Sequence, residues 1–155
     1  MNSCVELVTR IGRPFWLIDD SGFRKIIDPV LKALNAKRAT TAETVKDSVQ
    51  EEAISKREEI SQSLKNRMFS LKIDSASRLD RILLGSNAQY AENGKLILQP
   101  LAMKDLYDRH TAEHLTSQVK NTLSRYDHSV TQVYSVTTDN GANLLKAARL
   151  LRNRR

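Results

Sequence analysis

Two hydrophobic rhythms divide this chain. From about residue 13 to 66 apolar positions recur at helical spacing, and beyond Arg67 they alternate. In the first part Pro14, Phe15, Trp16, Leu17 and Ile18 form an apolar lead-in, with Asp19, Asp20 and Ser21 behind it as candidate helix caps. Phe23, Ile26, Ile27, Val30, Leu31 and Leu34 then share one helical face. Pro29 interrupts them. That predicts two short helices, the second capped by Asp28 with Pro29 at its first position. The polar stretch NAKRATT reads as a linker. Thr40 and Glu43 have capping-box spacing and open a long helix. Its apolar stripe is thin (Val45, Val49, Ala53, Ile60 and Leu64) and its other faces are charged, so it is assigned no chemistry.

The second rhythm has period two. MFSLKID puts Phe69, Leu71 and Ile73 on one side of a strand that ends at Asp74. LLGSNAQYA and GKLILQPLA follow, joined by Glu92, Asn93 and Gly94, and Asn-Gly between apolar runs marks a tight hairpin. Pro100 cannot donate to a ladder, so its strand belongs at a sheet edge. A helix carrying Leu115, Val119, Leu123 and Tyr126 leads to the β-branched strand QVYSVTT, which ends at Asp139. A last helix presents Leu144, Leu145, Ala148 and Leu151, with Gly141 easing the turn into it. The expected class is α/β, in the order β-β-β-α-β-α. A right-handed crossover sets the fourth strand parallel to the first and beside it, which gives strand order 3-2-1-4. No internal repeat or low-complexity tract interrupts the pattern.

Composition adds three constraints. The 155 residues suffice for an ordinary buried core, and no apolar run reaches the roughly 18 to 20 residues of a membrane span. The start, MNSCVELVTR, lacks the basic lead and apolar centre of a signal peptide, and a single cysteine, Cys4, cannot form an internal disulfide, so a reducing compartment is expected. The formal net charge is +7, which favours polyanionic partners, nucleic acid above all. Five of those cations, Lys146, Arg149, Arg152, Arg154 and Arg155, fall in the last ten residues and are the candidate phosphate contacts. They also suit a helix C-terminus electrostatically.

In the expected strand order Asp74 and Asp139 leave neighbouring strands at the same end of the sheet. Adjacent strands lie about 4.8 Å apart, so two such carboxylates can converge. Hard oxygen donors in pairs suit Mg²⁺ or Mn²⁺, the ions that clamp the attacking and leaving oxygens of a phosphodiester. Taken singly, Asp139 also suits a helix cap and Asp74 a turn.

The segment TTDNGANLLKA resembles the second-aspartate motif of hAT-superfamily transposases, a T-D-x-x-x-N block that runs into an apolar helix. MFSLKIDSAS sits where that family carries its first catalytic aspartate, at the end of the first strand of an RNase H-like core. RPFWLIDDSGFRKIIDPVL resembles the segment that precedes the core, and the likeness runs from about Val5 to Leu151. It implies residues 1–66 as an N-terminal helical segment and 67–155 as a partial RNase H-like core. It further implies Asp74 and Asp139 as catalytic, metal-binding acids for Mg²⁺ or Mn²⁺, DNA as the ancestral partner and a nuclear location. Asn140 and Asn143 belong to the motif, with a turn-stabilising role for Asn143. The departures are specific. The family's third acid is a glutamate far downstream, and this chain has no glutamate after Glu113. SASR follows Asp74 where the wider family has a tryptophan-containing continuation. The implied protein is transposase-derived and catalytically incomplete, with cleavage and strand transfer only if another chain supplied the glutamate.

Two rival classes stand beside that reading. One is a basic DNA- or transposase-binding module, a repressor or adaptor. The other is an interaction fragment whose fourth strand, if it is the sheet's edge, seeks a partner strand, including a second copy. HTAEH, residues 110 to 114, matches the H-x-x-E-H pattern of zinc peptidases, but the downstream acidic ligand is missing; His110 is expected at a helix entrance and His114 on its solvated side. Trp16, Tyr107, Tyr126 and Tyr134 could stack on bases, and core packing is the expected role.

Overall fold

The computed structural model describes residues 3–35, 40–78, 81–106 and 110–152. It contains α1 (Ser3–Thr9), α2 (Ser21–Ala33), α3 (Ala42–Leu64), β1 (Phe69–Arg78), β2 (Arg81–Glu92), β3 (Lys95–Asp105), α4 (Ala112–Ser124), β4 (Val133–Thr138) and α5 (Ala142–Arg152). Short 3₁₀ helices precede α2 and β4. The chain divides into two compact units, Met1–Arg57 and Glu58–Arg155.

In the first unit Asp20 caps α2, its carboxylate accepting from Gly22 N at 2.9 Å and Phe23 N at 3.0 Å. The expected break at Pro29 is absent, and α2 runs through it. Asp28 is not a cap. Its carboxylate faces back along the helix to the Arg24 guanidinium at 2.7 Å, so a second helix start has no acceptor. The capping box lies one residue later than expected: Thr41 and Thr44 exchange bonds, Thr41 N donating to Thr44 Oγ1 at 2.9 Å and Thr44 N to Thr41 Oγ1 at 3.2 Å. A short hydroxyl closes this start as well as the longer Glu43 could. Val5, Ile18 and Val45 form this unit's core, so α1, which lies outside the helical run read from the sequence, contributes one of its three buried side chains. Trp16 is 66 % exposed and does not join that core.

The second unit is built on one mixed sheet in the order β3-β2-β1-β4. β1 pairs antiparallel with β2 and parallel with β4, and β2 pairs antiparallel with β3. The fold class and strand order therefore stand as read from the periodicity. Asn93 (φ 50°) and Gly94 (φ 71°) close the β2–β3 turn, with Glu92 opposite Lys95. Two successive positive φ values are what a tight type I′ hairpin requires. Pro100 lies in edge strand β3, beside a register shift opposite Ser86 and Asn87. Phe69, Leu71 and Ile73 of β1 are buried with Leu84, Ala88 and Tyr90 of β2 beneath α4 and α5, and Ile60 and Leu64 at the end of α3 join the same core. Lys72 and Asp74 alternate with those residues and are exposed on the other face. Tyr126 packs in this core and donates its hydroxyl to Leu101 O at 2.6 Å. Tyr134 is 61 % exposed, against the expected core role, and Tyr107 lies outside the described residues.

Candidate functional site

The parallel ladder between β1 and β4 starts at Phe69 opposite Val133, shifts register, and then runs from Ser70 opposite Ser135 to Ile73 opposite Thr138. Asp74 and Asp139 are each the next residue in the chain. Both strands point the same way, so the two acids sit one step beyond a shared rung, on adjacent strands and at the same rim of the ladder. Both are exposed. A hydroxyl pair, Ser70 Oγ to Ser135 Oγ at 2.7 Å, bridges the two strands near the other end of the ladder.

Neither acid has the local role that its residue type suggested on its own. β1 does not stop at Asp74. It continues to Arg78 because β2 keeps pairing with it, Asp74 opposite Gly85 and Arg78 opposite Arg81. The strand therefore outlasts its contact with β4 by several residues, and Asp74 is a mid-strand residue and not a turn. Asp139 is not the cap of α5 either. The carbonyl of Gly141 accepts the first helical bond, from Leu145 N at 2.9 Å, while the Asp139 carboxylate accepts from Gly141 N at 3.0 Å. That bond turns the chain between β4 and α5. A methyl group at position 141 would lie 3.1 Å from the Asp139 carboxylate oxygen, so the glycine also keeps this turn tight. The turn is closed by Asp139, and Asn143 is exposed beside it.

A pocket of about 290 Å³ opens next to this rim, lined by Ser75, Ser77, Ile82, Leu106, His110, Leu115 and residues 141–144. Ser75 and Ser77 alternate with Asp74 along β1, so the pocket lies on the helix-covered face and Asp74 on the opposite one. Sequence periodicity missed it because it depends on β1 running past Asp74. His110 reaches the pocket from the segment before α4. Thr111, and neither histidine, caps α4, its hydroxyl accepting from His114 N at 3.3 Å. His114 is half-buried and its Nε2 lies 3.4 Å from the Gln118 amide nitrogen. The described residues contain no group of three or more His, Cys, Asp or Glu side chains arranged to hold a metal ion.

Of the basic candidates, Lys146, Arg149 and Arg152 are exposed on α5, and Arg154 and Arg155 lie outside the described residues. Lys146 Nζ sits 2.8 Å from the Glu113 carboxylate of α4. The hydrogen bond from Lys146, its largest perturbation, holds the Glu113 carboxyl below its ordinary range. Substituting Lys146→Ala is therefore expected to move the Glu113 titration upward, read by carbon-detected NMR across the acidic range. An unchanged Glu113 titration would show that the pair is not formed in solution.

No family model matches the chain, and no curated protein matches it.

Proposed function

We propose that this chain is a partial RNase H-like core related to hAT DNA transposases, and that it associates with DNA without cutting it. The observation that carries the reading is the parallel rung between Ile73 and Thr138, with Asp74 and Asp139 one residue past it on neighbouring strands. Two acids brought to one rim from positions far apart in the chain serve no packing purpose, since both are exposed. They offer hard oxygen donors of the kind that bind Mg²⁺ or Mn²⁺ together with substrate phosphates, and such an ion would supply charge neutralisation at a phosphodiester. Among the described residues no third acid, histidine or cysteine joins this pair to form a metal-holding group, and Asp139 is already engaged with Gly141 N. Holding DNA then falls to the exposed cations of α5 and the general excess of positive charge.

The test has two arms. If Lys146, Arg149 and Arg152 contact phosphates, affinity for duplex DNA should fall roughly fortyfold between about 50 and 200 mM salt, from a slope of about −0.9 per phosphate contact. Binding indifferent to salt would remove DNA from the reading. With Mn²⁺ added, the chain should yield no more cleaved DNA than Asp74→Ala does. Cleavage by the wild-type chain that disappears in Asp74→Ala would show that the site is catalytically sufficient and overturn the inactive assignment.

A further inference from the structure

The pocket on the helix-covered face has a lining unlike the rest of the chain. Lysine, arginine, aspartate and glutamate make up 28 % of the sequence, yet none of the described residues that line the pocket is one of them. Its apolar wall is assembled from separate parts of the fold: Ile82 of β2, Leu106 behind β3, Leu115 of α4 and Leu144 of α5. The three leucines are buried members of the core around the sheet, so packing holds this wall in place. Ser75 and Ser77, two positions apart on β1, add hydroxyls, and Asn143 adds an amide. Each of these groups can both donate and accept a hydrogen bond.

Such a lining selects its occupant by charge and by size. An ion entering it would give up water without meeting a carboxylate, ammonium or guanidinium in return, whereas a neutral ring gains apolar burial. An apolar cavity of about 150 Å³ holds one benzene ring. At about 290 Å³ this pocket has room for two fused rings. The first turn of α5 also lines it, and amides at a helix start lack acceptors within the helix, which suits a carbonyl oxygen on the ligand. A helix start attracts anions as well, so a charged analogue of the same shape is the decisive control.

We propose that this pocket binds a small, neutral, two-ring heteroaromatic molecule that carries a carbonyl group, its rings against Leu106, Leu115 and Leu144 and its polar edge toward Ser75, Ser77 and Asn143. The site lies on the other face of β1 from Asp74 and needs neither a metal ion nor DNA. The probe is quinoline-3-carboxamide, compared with quinoline-3-carboxylate, and the readout is methyl NMR of the full chain. The carboxamide should shift the Leu115 and Leu144 methyl signals saturably and leave those of Leu64, which belongs to the same core but does not line the pocket, in place. The carboxylate should bind at least roughly tenfold more weakly. Ser75→Ala, which removes one hydroxyl, should weaken the carboxamide roughly two- to tenfold. Ala142→Leu, which adds bulk to the lining at an exposed position, should abolish its binding. The proposal is overturned if the carboxamide leaves the Leu115 and Leu144 signals unmoved. It is equally overturned if the carboxylate binds as well or better, which would make the pocket an anion site at the start of α5, or if both variants bind the carboxamide like the unaltered chain.

Discussion

Replacing Phe69 by alanine is expected to lower the stability of the sheet-containing unit by about 4 kcal/mol, roughly a thousandfold in the ratio of folded to unfolded chains. Phe69 is fully buried at the start of β1 and stands opposite Val133 where β4 joins the sheet. Its ring meets the edge of His128, with centroids 6.1 Å apart. Truncation would remove that contact and leave a cavity between two elements that cannot close on each other while the β1 ladders hold them in register. Met68, one residue earlier, is half exposed, and Met68→Ala should change stability by less than about 0.5 kcal/mol. Urea unfolding followed by circular dichroism separates the two. A loss below about 1 kcal/mol in Phe69→Ala would mean that this end of the core is not packed as described.

That contrast between neighbours was already written in the sequence, because alternation in MFSLKID assigns Phe69, Leu71 and Ile73 to one face. The same logic gave the hairpin at Asn93–Gly94, the edge position of Pro100 and, through the handedness of the crossover, β4 beside β1. These features are governed by short-range sterics and one topological rule. What the sequence did not reveal depends on partners far away in the chain. β1 continues past Asp74 because β2 supplies a ladder as far as Arg81, and nothing in IDSASR itself announces that. α2 runs through Pro29, and Asp28 there pairs with Arg24 instead of capping a new helix.

The candidate site was legible to the same degree. That Asp74 and Asp139 share a rim followed from strand order alone. Their local settings did not: one is mid-strand on the open face, and the other closes the turn before α5 through Gly141 N. The pocket beside them could not be read at all, since Ser75 and Ser77 line it only if they are still in a strand. Aromatic residues misled in a simple way. Trp16 and Tyr134 stand next to apolar residues in sequence, yet both are solvent-facing, because adjacency along the chain says nothing about which side of a strand or short helix a ring occupies.

The position of Asp139 also depends on a residue that carries no functional signature in the sequence. His128 is buried in the segment that leads from α4 into β4. Its Nδ1 lies 3.0 Å from Gln132 Oε1, and its Nε2 lies 3.0 Å from the Ser61 carbonyl at the end of α3. Gln132 in turn completes the capping box of the 3₁₀ helix that feeds β4. The imidazole thus ties the entrance of β4 to the end of α3 while its edge packs on Phe69. His128→Ala should cost about 3 kcal/mol, because it opens a cavity and removes the imidazole from the half-buried Ser61 carbonyl. Ser61→Ala is the informative comparison: it deletes the hydroxyl bond to Tyr126 O at 2.7 Å but keeps the carbonyl that His128 meets, so it should cost only about 1 kcal/mol. The variants should also differ in hydrogen exchange. In His128→Ala the β4 amides should exchange faster than those of β2, since the clasp acts where β4 begins and β2 is held on both sides by β1 and β3. If β4 and β2 loosen together, His128 is ordinary core packing. If β4 loosens alone, the rung that brings Asp139 level with Asp74 is held in place by this histidine.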